Sequence, residues 1–213
     1  MKRCARIIGL LVWPLYLKDL YLISLGNDRL GILWSLDVVF FLLIPSATLF
    51  LLTKSGRLEA SVIGLNVFPK LIDFLVGVGL CAILLPIFSF FLIPTLESVF
   101  RGRLFVGYDF PDRQPLRFIL IIYAALSAGI LEEIVYRGVV ISELQRASLP
   151  PALAVAISCL IFGGIHWGEG LGKVVAMALF GMPFAIWYVR RRSLWAPIIS
   201  HTLYNLLIYS GAV

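Results

Sequence analysis

The chain alternates between long apolar runs and short polar connections. Seven runs are dense enough to be considered as membrane spans, since a helix needs about 20 apolar residues to cross the hydrocarbon core. They are residues 7–25, 30–53, 71–96, 118–144, 151–167, 171–189 and 194–209. Backbone groups cannot stay unpaired in lipid, and the alternating pattern of a membrane barrel is missing from the sequence, so each run is predicted to be helical.

This pattern predicts an all-α fold: a polytopic transmembrane helical bundle of about seven spans, with residues 1–213 as a single integral-membrane domain. Composition supports it. The chain is 61% apolar and 14% charged, whereas a soluble domain is roughly 45–50% apolar and about 25% charged. The net charge of +6 does not indicate a nucleic-acid partner, because the basic residues lie at the ends of apolar runs. Disordered chains and ordinary cytosolic enzymes are excluded as well.

The basic residues also predict an orientation in the lipid bilayer. Those at positions 2–6 precede the first run and place the N-terminus in the cytoplasm by the positive-inside rule. With seven spans, the connection 54–70 lies on the same side of the membrane as the basic residues of 137–146 and 190–192. We expect this connection to lie at the membrane–water interface. The connection 97–117, with mixed charge, is expected on the other side. We expect the plasma (inner) membrane.

Ionisable residues inside apolar runs are the first candidates for chemistry, because one near the bilayer centre costs on the order of 3 kcal/mol. The densest group is Glu132, Glu133 and Arg137. Residues four apart share a helix face, so Glu133 and Arg137 are predicted to pair, while Glu132 points elsewhere without that partner. A buried carboxylate of tunable pKa is what a general base needs. The alternative is an ion-pair network of all three at the cytosolic interface.

Both histidines of the chain lie in apolar runs. His166 follows Phe162 by four residues, and His201 precedes Asn205 by four, so each pair shares a helix face. These faces are predicted to point into the bundle, because polar side chains avoid lipid. The glycines at 163–164 would let another helix approach closely. A lone buried histidine is usually a packing residue. Two of them, with an asparagine and the glutamate cluster, supply the parts of a hydrolytic site.

Three motifs stand in order along the chain: Glu-Glu-x-x-x-Arg at 132–137, Phe-x-x-x-His at 162–166 and His-x-x-x-Asn at 201–205. In a hydrophobic protein this set resembles the CAAX protease and bacteriocin-processing (CPBP, or Abi) family of intramembrane proteases, which includes the Ras-converting CAAX endopeptidase. The resemblance covers 132–205 and implies a catalytic core at 118–210. It also implies hydrolysis of a peptide bond within the membrane, in a membrane protein or peptide substrate.

The resemblance implies two competing mechanisms. In the favoured glutamic version, Glu132 with His166 activates a water, and His201 and Asn205 donate hydrogen bonds to the developing oxyanion. In the metal version, Glu132, His166 and His201 bind zinc and leave one position open for water. Asparagine is a poor zinc ligand and a good oxyanion donor, so no cofactor is favoured. The supporting residues in either version are Glu133, Arg137 and Phe162.

Two other classes of function compete with hydrolysis. Buried glutamate, histidine and arginine also build proton or ion paths, which would make the protein a small coupled transporter. Such a transporter predicts inverted repeats, and the sequence shows no such symmetry. A non-catalytic membrane scaffold would instead bind a partner's transmembrane segment and would tolerate Glu132→Ala.

Weaker signals are expected to be structural. Asp37 is predicted to make a helix–helix hydrogen bond, and the adjacent Lys18 and Asp19 to form a snorkelling pair at the interface. Glu169, in the turn after His166, is not favoured as a site residue.

One distance conflicts with a shared site. Glu132 lies about 10 Å from the cytosolic end of its span, but His166 lies about 22 Å from the start of its own helix. The two can meet if 140–152 protrudes on the cytosolic side.

Overall fold

The structure is a computed structural model of the chain. It describes residues 1–25, 29–59, 64–65, 68–100 and 109–212, with the backbone alone at 22 and 25. Parts of the two connections predicted at 54–70 and 97–117 therefore lie outside the described residues.

The described residues form seven helices and no strand, in the order that the apolar runs predict. These are α1 (Lys2–Leu25), α2 (Leu30–Lys54), α3 (Leu71–Phe100), α4 (Leu116–Arg146), α5 (Pro151–Gly164), α6 (Leu171–Arg191) and α7 (Trp195–Ser210). Among the described residues, α2, α3, α4 and α6 are long and apolar enough to cross a membrane. The prediction of an all-α membrane bundle is confirmed. The fifth helix ends at Gly164, so His166, which the sequence places inside the fifth run, lies beyond the helix.

Several helix ends follow from local sequence. Pro151 opens α5 at a position where its missing N–H would have had no partner anyway. Asp73, in the first turn of α3, accepts a hydrogen bond from the Lys70 amide (3.0 Å) and one from the Ser193 hydroxyl (3.0 Å). The second bond ties the start of α3 to the connection between α6 and α7.

Packing is closest where glycines face neighbouring helices. α5 packs along α6, and α7 packs against both α3 and α4. A Cβ added to Gly163 would overlap the Val174 carbonyl of α6, and one added to Gly129 would overlap Thr202 of α7. The close approach predicted from the glycines before His166 is thus confirmed at Gly163. The contact at Gly129 joins α4 to α7, two of the helices that carry the motifs.

Basic side chains meet at one end of the bundle. Arg3 donates to the Arg57 carbonyl (2.7 Å), and Arg146 pairs with Glu59 (3.1 Å). Arg192 reaches a side chain in the same last turn of α4. The start of α1, the connection after α2, the end of α4 and the end of α6 therefore lie on one side, as the charge pattern predicts.

Counted along the observed helices, the conflict of depth disappears. The end of α4 at Arg146 is 14 residues beyond Glu132, and α5 has 14 residues from Pro151 to Gly164, so Glu132 and His166 lie at comparable distances from the connection between the two helices. The Ser158 hydroxyl donates to the Tyr136 carbonyl (2.7 Å) and fixes the register of α5 against α4. Glu132 and His166 thus reach a similar level of the bundle. Whether 140–152 protrudes from the bilayer stays a prediction.

Candidate active site

The middle of α4, residues Ala128–Val140, is a π-helix. Its hydrogen bonds run from i to i+5, so each residue turns the chain by less than in an α-helix, and adjacent side chains point more nearly the same way. Glu132 and Glu133, expected to diverge, both reach His201 on α7. Glu132, predicted to lack the arginine partner of Glu133, has its Oε2 3.7 Å from His201 Nε2 instead.

Glu133 is the centre of a buried polar cluster. Its Oε1 lies 3.0 Å from Arg137 Nη1, which confirms the predicted pair, and both side chains are fully buried. The same oxygen lies 2.8 Å from His201 Nδ1. An ionised carboxylate can only accept, so Nδ1 carries the proton of this bond. His201 is therefore held between Glu133 on one ring nitrogen and Glu132 on the other.

Aromatic rings surround this cluster. The Arg137 guanidinium lies 4.3 Å from the centroid of the Phe162 ring, a cation–π contact. Phe162 also meets both histidine rings edge-on, His166 at 5.9 Å and His201 at 6.1 Å between centroids. A Cβ on Gly181 would overlap Arg137 Nη2, so this glycine leaves room for the guanidinium. Phe162 thus packs between the arginine and both imidazoles.

His166 lies in the connection between α5 and α6, just before a single turn of 3₁₀-helix at Trp167–Glu169. Its Nδ1 is 2.9 Å from Glu169 Oε1, and Glu169 Oε2 is 3.3 Å from Lys173 Nζ. Burial and the nearby Lys18 charge lower the pKa of His166 to about 4, in spite of Glu169. Burial raises the pKa of Glu169, but the His166 hydrogen bond and Lys173 outweigh it and hold that pKa at about 2. At neutral pH the pair is a neutral imidazole that donates to a carboxylate.

The first helix holds the turn that carries His166. Asp19 Oδ2 accepts a hydrogen bond from the Gly168 amide (2.7 Å), and Trp167 Nε1 donates to the Tyr16 carbonyl (3.3 Å). Lys18 and Asp19 are both buried, so the expectation that they snorkel at an interface is wrong. The reason is that the turn packs over α1 and covers them.

One cavity joins the four predicted catalytic side chains. Glu132, His166, His201 and Asn205 all line it, and their residues are only 3–9% exposed. Its volume is about 80 Å³. A water molecule needs roughly 10–15 Å³ of such space, so the cavity can hold water beside these groups. The structure therefore brings the predicted residues to one place, while their catalytic roles stay a prediction.

Sequence reasoning missed part of the lining. Lys18, Glu169 and Lys173 also border the cavity, although none had been favoured as a site residue. The signal in the sequence was the spacing of Glu169, three residues after His166 and four before Lys173. Asp37 borders the cavity too, and it accepts hydrogen bonds from Tyr21 of α1 (3.1 Å) and Tyr123 of α4 (3.0 Å). The predicted helix–helix bond is confirmed.

The residues of the zinc alternative share the cavity but are not gathered into a metal site. Within the described ranges, no group of three or more His, Cys, Asp and Glu side chains is placed to hold a metal ion. Carboxylates bond to Nδ1 of both histidines, as they commonly do where a histidine binds zinc through its other nitrogen. Metal dependence therefore stays a prediction.

Comparison with known proteins supports the resemblance inferred from the motifs. Residues 114–207 match the family described as type II CAAX prenyl endopeptidase Rce1-like. The candidate membrane peptidase YdiL of Bacillus subtilis (strain 168) is 30% identical over 90 residues, which cover 42% of this chain and 36% of that protein. The chain thus aligns with only about a third of the length of this curated relative. No solved structure matches the chain. The chain is an integral membrane protein similar to CAAX-type peptidases at the level of the family.

Proposed function

We propose that the protein is an intramembrane endopeptidase that hydrolyses a peptide bond in a membrane-associated protein or peptide. The observation that carries the proposal is the single buried cavity shared by Glu132, His166, His201 and Asn205, which has room for water. Similarity of residues 114–207 to CAAX-type endopeptidases supports the same class of reaction.

Glu132 is the proposed general base. A cavity water donates one hydrogen to the Glu132 carboxylate and the other to the free nitrogen of His166. As Glu132 takes the proton, the water oxygen bonds to the carbonyl carbon, and the carbonyl electron pair moves onto oxygen. The carbon–nitrogen bond then breaks, and the departing amine takes the proton from Glu132. Proton transfer by a positioned side chain contributes typically about 10²–10⁴-fold to the rate.

His201 and Asn205 are the proposed oxyanion donors. Nδ1 of His201 already donates to Glu133, so donation from Nε2 requires a ring that carries both protons. Glu133 and Glu132 flank the ring, one at each nitrogen. Donors aimed at the oxyanion in a dry site are each worth about 3–4 kcal/mol.

The proposed substrate is a protein or peptide that reaches the site from the bilayer. The basic end of the bundle is proposed to face the cytoplasm, with the N-terminus on that side and the protein in the plasma (inner) membrane. The long apolar helices support a location in the bilayer, which is also where a membrane-embedded substrate segment lies.

The decisive experiment compares wild type with Glu132→Gln in lipid nanodiscs, using a mass-spectrometric readout on a panel of membrane-anchored peptides. Cleavage is expected to fall by about 10²–10⁴-fold. Glu59→Gln, an exposed glutamate at the basic end, is the matched control and should cleave at the wild-type rate. Undiminished cleavage by Glu132→Gln would refute Glu132 as the base.

The same assay separates the competing functions. Loss of wild-type activity on chelation, restored by zinc, would move the assignment to the metal version. Absence of wild-type cleavage across the panel, together with partner binding that Glu132→Gln preserves, would favour the scaffold.

A further inference from the structure

We infer that Glu169 is a positioning residue for His166, which it holds in the form that carries hydrogen on Nδ1 and a free electron pair on Nε2. The role of this tautomer in catalysis rests on the proposed function, whereas the presence of the tautomer does not. Glu169 lies outside the three motifs that carry the family resemblance.

The contact between the two side chains is direct and enclosed. His166 Nδ1 lies 2.9 Å from Glu169 Oε1, and the side chains are 11% and 12% exposed. A carboxylate offers no hydrogen, so the imidazole must donate from Nδ1. A neutral imidazole has one hydrogen only, and Nε2 is left as an acceptor. This is the nitrogen that a water held beside Glu132 would need.

Glu169 is itself fixed on two sides. Lys173, one turn into α6, lies 3.3 Å from its second oxygen and orients the carboxylate. The 3₁₀ turn that holds Glu169 ends at Gly170, whose φ of +95° suits glycine far better than other residues. The chain thus leaves the helical path directly after Glu169, and the short turn keeps its side chain on His166.

A merely structural salt bridge would not need this geometry. Lys173 pairs with one oxygen of the carboxylate, and Glu169 gives its other oxygen to the imidazole nitrogen that selects the tautomer. Removing the carboxylate partner of a metal-ligating histidine typically costs about 10–100-fold in activity, because ring orientation and basicity both depend on it, and we expect the same dependence for His166. For Glu169→Gln we expect kcat to fall by about 10–100-fold, with KM little changed.

The tautomer can be measured without any substrate, because the chain has only two histidines. Full-length protein labelled with ¹⁵N-histidine in nanodiscs gives two sets of ring signals, and His166→Gln assigns them. At neutral pH, wild-type His166 is expected to show a protonated Nδ1 and an unprotonated Nε2. Glu169→Gln should shift or mix these signals, and Glu169→Asp should retain the wild-type form in part. The His201 signals serve as the internal control and should stay unchanged.

Wild-type His166 protonated on Nε2 would overturn the inference, and so would ring signals that Glu169→Gln leaves unmoved. The wild-type spectrum needs no variant, so the inference stays testable if Glu169→Gln does not fold. Failure of the proposed function has a different signature: the predicted tautomer would be present, but no membrane-anchored peptide would be cleaved.

Discussion

Each histidine has its Nδ1 hydrogen-bonded to a glutamate, but one ring lies inside the helix bundle and the other lies in a turn. His201 lies within α7, deep between helices, and its Nδ1 bonds to Glu133, which Arg137 neutralises. His166 lies in a short turn between helices, and its Nδ1 bonds to Glu169 only three residues along the chain. One site is assembled across two distant parts of the sequence, and the other is assembled locally.

This difference gives the two rings different neighbours. The His201 ring lies between two carboxylates, Glu133 at Nδ1 and Glu132 at Nε2. The His166 ring has a carboxylate on Nδ1, with Lys173 behind it, and burial and the Lys18 charge disfavour a second proton. The groups around each imidazole, rather than the motif in which it stands, thus distinguish the two proposed roles.

The two histidine–glutamate pairs should differ most in the loss of stability caused by removing the neighbouring cation, Arg137 or Lys173. Arg137→Met leaves Glu133 buried without its counter-charge and is expected to lower the free energy of unfolding by about 3–5 kcal/mol. The matched change, Lys173→Met, should cost about 1 kcal/mol, because Glu169 keeps its hydrogen bond from His166 at the edge of the cavity. Denaturant titration in detergent micelles measures both values. Equal losses would mean that the two clusters do not differ in burial as described.

A methyl group added beside Arg137 should destabilise the cluster around His201 less than removal of the arginine does. A Cβ on Gly181 overlaps the guanidinium and comes within 2.9 Å of the Phe162 ring, so Gly181→Ala is expected to cost about 1–3 kcal/mol. Gly79→Ala in α3 is the control, because nothing lies within 4 Å of its added Cβ. That variant should match the wild type or exceed it slightly in stability. A Gly181→Ala protein as stable as the control would show that Arg137 has room to move.

A change in α1 isolates the turn that carries His166. Asp19→Ala removes the acceptor of the Gly168 amide and should cost about 1–2 kcal/mol. The histidine ¹⁵N spectrum should change for His166 and not for His201, because Asp19 bonds to the turn after His166, whereas His201 lies on α7. Ser24→Ala, at an exposed hydroxyl on the same helix, should change neither ring. Movement of both histidines would contradict the separation of the two sites.

Much of the fold was predictable because lipid restricts it strongly. Each apolar run became one helix within a few residues, and the basic residues met at one end. The pairing of Glu133 with Arg137 also followed, since four-residue spacing gives a shared face for an α-helix and remained close enough here.

The missed features have identifiable physical causes. Glu132 was assigned an α-helical direction, whereas the π segment turns it toward His201. Lys18 and Asp19 were judged by their position near the end of a run, but burial there depends on a turn some 150 residues later in the chain. Glu169 was discounted because it stands in a loop, although the local geometry of that loop aims it at His166.

The π segment of α4 also determines which kinds of mutation the gene tolerates at this helix. The loss of one codon between Ala128 and Leu131 would leave the hydropathy of the run almost unaltered. It would nevertheless rotate Glu132, Glu133 and Arg137 together relative to α7, so that neither nitrogen of His201 kept its carboxylate. Substitutions at the lipid-facing positions of the same stretch would preserve that register. In this helix, in-frame deletions are therefore far more damaging than replacements, although a hydrophobicity profile cannot tell them apart.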